Sequence, residues 1–200
     1  MDVFESFAKR RMTRAFTADP VEALVVDRLL YAAMRAPSAG NTASVEMLVL
    51  TGDQCHDYWD VTLSAARRTG FPWPGLLLAP VLLVPTVDPG AYVERYSDDD
   101  KAHTGLGESA DAWSVPYWWV DGGAAVENVL LAAISLGLGA CFFGQFEHEA
   151  AVSARFGIPD GRRAVGTIAV GHPDPDNDRP SRSSQRPTAS ATDRTHWGRW

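Results

Sequence analysis

The stretch Gly122-Gly-Ala-Ala-Val-Glu-Asn-Val-Leu-Leu-Ala-Ala-Ile-Ser-Leu-Gly137-Leu-Gly-Ala-Cys-Phe-Phe-Gly144 sets the tightest limits on how this chain can fold. Ala124 to Leu136 contains no Pro or Gly, and only Glu127, Asn128 and Ser135 interrupt its apolar residues. A surface helix keeps a wide polar stripe, so this pattern predicts a helix buried on most sides. A membrane span needs about 20 mostly apolar residues, which this run does not supply. Asp121 is the expected N-cap and Gly137 the expected stop. Small residues at Ala124, Ala125, Ala132 and Ala133 let another backbone come close. The short apolar run Ala140 to Phe143, closed by Gly144, then reads as a strand.

The remaining elements follow from the same kind of pattern. A helix is expected over Val3 to Thr13, with Phe4, Phe7 and Met12 facing inward. A second begins at Asp19-Pro20, carries Leu24, Val25, Leu29, Leu30, Ala33 and Met34 at helical spacing, and stops before Pro37. Pro37-Ser-Ala-Gly-Asn41 is a polar turn. Val45 to Thr51 and Leu76 to Val87 read as strands, the latter limited in its pairing by Pro80 and Pro85. A helix over Gln54 to Arg68 lies between them. Tyr96 to Trp119 reads as a long, aromatic-rich loop, and such loops in compact domains often act as lids. Glu147 to Phe156 is a short helix, Ala164 to Gly171 a last strand, and residues 174–200 a Pro, Ser and Arg-rich tail ending in Trp197 and Trp200. One mixed α+β domain over 1–173, with a tail over 174–200, is the expected organisation.

Composition excludes several functions. The net charge of −7 argues against a nucleic-acid binder, which carries a basic face. Lys9, Arg10, Arg11 and Arg14 nevertheless cluster, which suits a small anion. The two cysteines, Cys55 and Cys141, provide neither a disulfide framework nor a repeated Cys-pair metal site. With no apolar leader, the expected setting is cytoplasmic, with no membrane attachment. No Gly-x-Ser-x-Gly elbow occurs, and no His pair has metal-binding helical spacing, so no metal site is expected. Cys55-His56 are sequence neighbours that point to different sides of a helix. Gly137-Leu-Gly139 is half a dinucleotide fingerprint, but it follows a helix and its third position is Phe142.

In order, the positive features are Arg10-Arg-Met-Thr-Arg-Ala-Phe16, Asp19-Pro-Val, Ala36-Pro-Ser-Ala-Gly-Asn41, Glu127-Asn-Val-Leu-Leu-Ala-Ala with Gly137-Leu-Gly-Ala, Ile158-Pro159, and Val170-Gly-His-Pro173. Over most of residues 5–173 this series resembles the nitroreductase family of FMN-dependent oxidoreductases. The resemblance implies an α+β sandwich, with a central, mostly antiparallel sheet flanked by helices, working as an intertwined homodimer whose tail wraps the partner. It implies FMN as cofactor, NAD(P)H as co-substrate and a small planar acceptor: a nitroaromatic, a quinone or an enone. Position by position, Arg10, Arg11, Met12 and Arg14 would meet the phosphate, ribityl chain or pyrimidine edge. Pro37, Ser38, Ala39 and Asn41 would line the ring from the partner subunit. Phe142, Phe143 and Gly144 would run beside the ring, with a backbone N–H near N5, and Arg182 would close on the phosphate. No side-chain catalyst is implied. Trp113, Tyr117 and Trp118 are candidates for the substrate wall.

Four departures from the family pattern stand out. Met12 replaces a common Ser, and Ala43-Ser-Val45 replaces Gln-Pro-Trp. Pro72 and Gly75 fall where an Asn and a Lys often hold the flavin's polar edge. Gly144 takes the place of a carboxylate beside N5. Two alternatives therefore accompany the reductase reading: a flavin-dependent oxidase or dehydrogenase of a biosynthetic intermediate, and a non-catalytic flavin-binding protein.

Overall fold

The computed structural model describes residues 1–179, 181, 186 and 189–200. In chain order its helices and strands are α1 (Val3–Lys9), α2 (Ala23–Met34), β1 (Glu46–Thr51), α3 (Asp53–Thr62), α4 (Ala65–Arg68), β2 (Val81–Val87), α5 (Pro89–Tyr96), α6 (Tyr117–Ser135), β3 (Gly139–Phe143), α7 (Glu149–Phe156), β4 (Arg163–Ala164) and β5 (Thr167–Gly171). The sheet runs β1-β2-β5-β3, with β4 beside the end of β2, and every pairing is antiparallel.

Side chains alternate across a strand, and here the alternation feeds two cores. Val81, Leu83, Ile168, Val170 and Ala140 face α2 and α6. Leu82, Val84, Ala169 and Cys141 face α3 and α7. All seven residues of β2 are buried, as a strand covered on both faces requires. Pro85 has no N–H to donate, and it sits two residues beyond Leu83, where pairing with β5 has ended.

The central helix is buried as its composition demands, but it begins earlier than expected. It starts at Tyr117, so Trp118 and Asp121 belong to its first turns and Asp121 is an interior residue, not the N-cap. Gly122 permits this: a Cβ there would lie 2.7 Å from Val165 Cγ2. Gly137, at φ +77°, follows the helix end as the stop signal required. The polar interruptions all find partners. Glu127 pairs with Arg10, the Asn128 amide donates to Ala32 O, and the Ser135 hydroxyl donates to Ala132 O. Val129 and Leu130 pack on Val26, Leu29 and Ala33 of α2, each such aliphatic side chain contributing ~1.5–3 kcal/mol.

Other differences have local causes. Leu63, in extended conformation, ends α3, and only Ala65–Arg68 resumes the helix. Leu76 to Leu78 lie in a 3₁₀ turn opened by Pro74, so β2 starts only after Pro80. The segment expected as a loop from Tyr96 is preceded by α5, whose N-cap Asp88 accepts from Gly90 N with Pro89 in the first turn. Short 3₁₀ turns at Ala102–Thr104 and Ala110–Ala112 then lead into α6. Helix α1 has a capping box between Asp2 and Glu5, yet Phe4 is 78% exposed and Phe7 also faces solvent, against the inward placement expected. Among the described residues nothing else covers that face. No helix among the described residues is long and apolar enough to cross a membrane.

Candidate functional site

After α1, residues 10–16 run along the free edge of β3. Thr13 N donates to Ala140 O at 2.9 Å, Met12 bridges Ala140, and Phe142 N points at Met12 Sδ. Phe16 N bonds Gly75 O, and Asp174 N bonds Ala15 O, so three segments are stitched around the arginines. Two glycines make the approach possible. A Cβ on Gly139 would lie 2.7 Å from Thr13 Cγ2, and one on Gly75 would lie 2.8 Å from Ala15 Cβ. Thr13, Ala15 and Phe16 are buried, whereas Arg10, Arg11 and Arg14 lie along the rim.

Each arginine is already engaged. Arg10 pairs with Glu127 at 3.4 Å. Arg11 pairs with Asp178 Oδ2, and Asp178 Oδ1 accepts from the Arg14 backbone N–H at 2.8 Å. The Arg14 guanidinium donates to Met12 O and lies 5.5 Å from the Trp73 ring centroid, a cation–π distance. Met12, standing where the resembled family commonly has Ser, turns its thioether to the β3 backbone and packs its side chain against both cores.

Arg14, Phe142, Phe143 and Gly144 come together on one cavity of about 320 Å³, walled by Trp59, Phe71 and Trp73. Trp59 and Phe143 stack at 5.7 Å with an interplanar angle of 18°. Such a slot, apolar with a cation at one end, suits a flat ligand carrying an anion. Gln145 also lines it and was not singled out in the sequence. It is buried, and its amide donates to Thr167 Oγ1 at 3.0 Å. Tyr58 meets the same Thr167 oxygen at 2.7 Å. Burial pushes the Tyr58 hydroxyl up to about 12, so it stays protonated. Gln145 Oε1 has no partner among the described residues.

The Ser38–Asn41 turn lies elsewhere. Ala39 lines a second cavity, of about 420 Å³, with Trp113 and Tyr117. Gly40, Asn41 and Ala43 take φ values of +62°, +56° and +51°. Two non-glycine residues in that region persist only where surroundings hold them. Asp121 Oδ2 accepts from Ala39 N at 2.8 Å and from the Tyr92 hydroxyl at 2.7 Å. Arg95 Nε donates to Gly40 O at 2.9 Å and is itself gripped by Asp100. Ser38 Oγ accepts from Ala43 N. Pro37 and Asn41 remain exposed. Asp121 is therefore the residue the sequence concealed: a carboxylate in an apolar helix resembles a cap until Ala39, 82 positions away, arrives beside it.

Trp113 and Trp118 are both buried, in a third core with Tyr92 and Val87. Trp113 Nε1 donates to Leu106 O, and its ring meets Tyr96 at 4.6 Å. Tyr117 stays exposed. Gly107 lets the segment pack closely on the end of α5, since a Cβ there would lie 2.7 Å from the Ser97 and Tyr96 backbone. Arg182 lies outside the described residues. Burial raises both cysteine thiols, Cys55 to about 11, so neither is a ready nucleophile, and His56 is exposed while Cys55 is buried.

Comparison with known proteins agrees with this geometry. A protein of Archaeoglobus fulgidus, provisionally named NADH dehydrogenase/NAD(P)H nitroreductase, is 27% identical over 172 residues, 84% of each chain. Solved structures share the fold. The FMN and NADPH-dependent nitroreductase NfnB of Sphigopyxis sp. strain HMH superposes with a TM-score of 0.73 at 20% identity, covering 100% of both chains. The NADPH:FMN oxidoreductase of Vibrio harveyi, complexed with NAD+, gives 0.68 at 22% identity over 99% of this chain and 77% of its own. The nitroreductase family model matches residues 7–172, from the first helix through the edge arginines and both glycine-bounded ends of β3 to the close of β5, and the chain belongs to that family.

Proposed function

We propose that this chain is an FMN-dependent oxidoreductase that uses NAD(P)H to reduce a small planar acceptor, a nitroaromatic, quinone or enone. The observation that carries the reading is the edge segment beside β3. It presents the Arg11 guanidinium and the Arg14 backbone N–H already holding a carboxylate, and Arg14 itself lines an aromatic slot. That donor set is chemically suited to a phosphate, and the slot to a flat ring system. The related proteins named for FMN and NADPH support the same assignment.

When bound, FMN supplies the redox chemistry, taking two electrons from the nicotinamide and passing them to the acceptor. The protein positions and excludes. Arg10, Arg11 and Arg14 would hold the phosphate end, with Arg182 as a further candidate. The Phe142–Gly144 backbone would run along the ring, and Trp59 and Trp73 would keep water from it. Gly144 brings no carboxylate to that edge, so the strand backbone alone would contact the reactive side.

Pro37, Ser38, Ala39 and Asn41 do not share that cavity within one chain, which supports their service to a partner's flavin in a homodimer. The exposed apolar residues Phe4, Phe7, Leu24, Tyr31 and Val120 offer the surface for such a dimer. Trp197 and Trp200, 89% and 99% exposed, fit a tail over 174–200 that embraces the partner. Tyr117 is the best-placed acceptor contact of the three aromatics, being the exposed one on the second cavity. A cytoplasmic location is part of the proposal, a reducing setting in which the two buried cysteines stay as free thiols.

The test is the purified protein's absorption spectrum and its NAD(P)H consumption with menadione or nitrofurazone. About one FMN per chain and acceptor-dependent turnover are expected. Flavin without turnover would favour the non-catalytic alternative. Oxygen consumption with no nicotinamide requirement would favour the oxidase, and no flavin binding at all would refute the proposal. Light scattering showing a stable FMN-loaded monomer would refute the dimer.

A further inference from the structure

We propose that Asp178 sets how tightly and how selectively the arginine segment takes a phosphorylated flavin, by occupying the donors that a phosphate would use. This rests on the reading of the edge arginines as the phosphate site.

The carboxylate is placed as a ligand would be. Its side chain is only 3% exposed, while that of Arg11 is 57% exposed. One oxygen meets the Arg11 guanidinium and the other accepts the Arg14 backbone N–H. A buried carboxylate persists only when so paired. A guanidinium with a backbone N–H is also the pattern that recognises a phosphate oxygen. The Arg14 N–H has a single hydrogen, and two anions at one donor repel. Phosphate and Asp178 are thus alternatives at that atom.

The carboxylate is presented by its own tail. Phe16 bridges Pro173, Asp174 N bonds Ala15 O, and Asn177 turns back onto Asp174 through its backbone and its side-chain amide. That turn delivers Asp178 to the arginines. A tethered group competes at an effective concentration that reaches the millimolar range for short tethers. The neighbouring Arg10 is paired with Glu127, and the Arg14 guanidinium is turned to Met12 O and the Trp73 ring, so the donors nearest the Arg14 N–H are those that Asp178 holds. Loading a phosphorylated flavin therefore requires the Asp174–Asp178 turn to swing away.

Flavin-free protein is titrated with FMN and with riboflavin, following flavin fluorescence, for the parent, Asp178→Asn and Asp178→Ala. Asp178→Asn should tighten FMN by about tenfold, the order expected when a charge-assisted bond no longer has to be exchanged, and leave riboflavin nearly unchanged. Inorganic phosphate should bind the flavin-free Asn variant at lower concentration than the flavin-free parent. If the parent prefers FMN and both variants bind it equally or less well, Asp178 is a strut for Arg11 and this proposal falls while the phosphate reading stands. If the parent and both variants bind the two flavins equally, the phosphate reading falls and takes this one with it. Amide exchange on the unmutated protein gives an answer that needs no variant. FMN should speed exchange across residues 174–179, and protection there would overturn the proposal.

Discussion

The tie between Asp121, Ala39 and Tyr92 can be tested by a double-mutant cycle. Asp121 is 5% exposed, and its Oδ2 accepts two hydrogen bonds, from Ala39 N and from the Tyr92 hydroxyl. Hydrogen bonds to a charged group are worth ~1.5–3 kcal/mol each, and an orphaned buried donor costs ~1–3 kcal/mol. Asp121→Ala removes the acceptor from both donors. Against this stand the lost desolvation of the carboxylate and a helix-propensity gain of at most ~0.7 kcal/mol. The net expectation is a loss of about 2–4 kcal/mol, measurable within a typical total of ~5–15. Tyr92→Phe should cost less, about 1.5 kcal/mol at the low end for one such charged hydrogen bond, because the carboxylate keeps Ala39 and no donor is orphaned. In the double variant the orphaned hydroxyl no longer exists, so the costs should fall short of additive by about 1–2 kcal/mol. Urea unfolding of the four proteins reads the cycle. FMN release from the loaded forms should be fastest where Asp121 is absent, since the strained Gly40–Ala43 turn then loses its anchor. Additive costs, or an Asp121→Ala loss below 1 kcal/mol, would refute the tie.

Gly139→Ala should lower stability by about 1–3 kcal/mol and release FMN, because its Cβ would press on Thr13 and push the arginine segment off β3; thermal melting with flavin content checks both. Trp113→Leu should lose ~3 kcal/mol or more as a core truncation, whereas Tyr117→Leu should melt near the parent and change acceptor preference; steady-state assays on both separate core from pocket. The Arg163 guanidinium holds the Glu149 carboxyl below its usual range, helped by the Ala164 N–H, although burial opposes this. A depressed folded-state value means stability that is present at neutral pH and lost as pH falls through the ordinary glutamate range of about 4.3 and below. Glu149→Gln should flatten that part of the acid limb, followed by urea midpoints between neutral and acid pH; an unchanged acid limb would contradict the assignment.

Local rules carried much of the architecture. Apolar periodicity and a left-handed glycine were enough for the buried helix and its end at Gly137, since these depend on residues a few positions apart. The short apolar runs at 45–51 and 140–143 and the helix at 149–156 were legible for the same reason. Arg10, Arg11, Arg14 and the Pro37–Asn41 turn were recognisable as a spaced series. The placement of Arg14 with Phe142–Gly144 on one cavity followed from strand β3 taking residues 12–13 at its edge.

Tertiary structure alone decided the rest, because those decisions lie in partners far along the chain. Asp121 looked like a cap, yet the turn at Ala39 and the hydroxyl of Tyr92 made it an interior anchor, extending α6 back to Tyr117. Trp113 and Trp118 carried the composition of a lid, but α5 supplied Tyr92 and Tyr96 to bury them, while Tyr117 stayed outside. Phe4 and Phe7 had inward periodicity with nothing among the described residues to cover them. Asp178 sat among polar tail residues without any local signal, and only the stitching of Phe16 to Pro173 carried its charge onto Arg11 and Arg14. Helix ends and strand alternation are set by backbone sterics within a turn or two, whereas the role of a buried charge is set by whichever donors the fold brings to it.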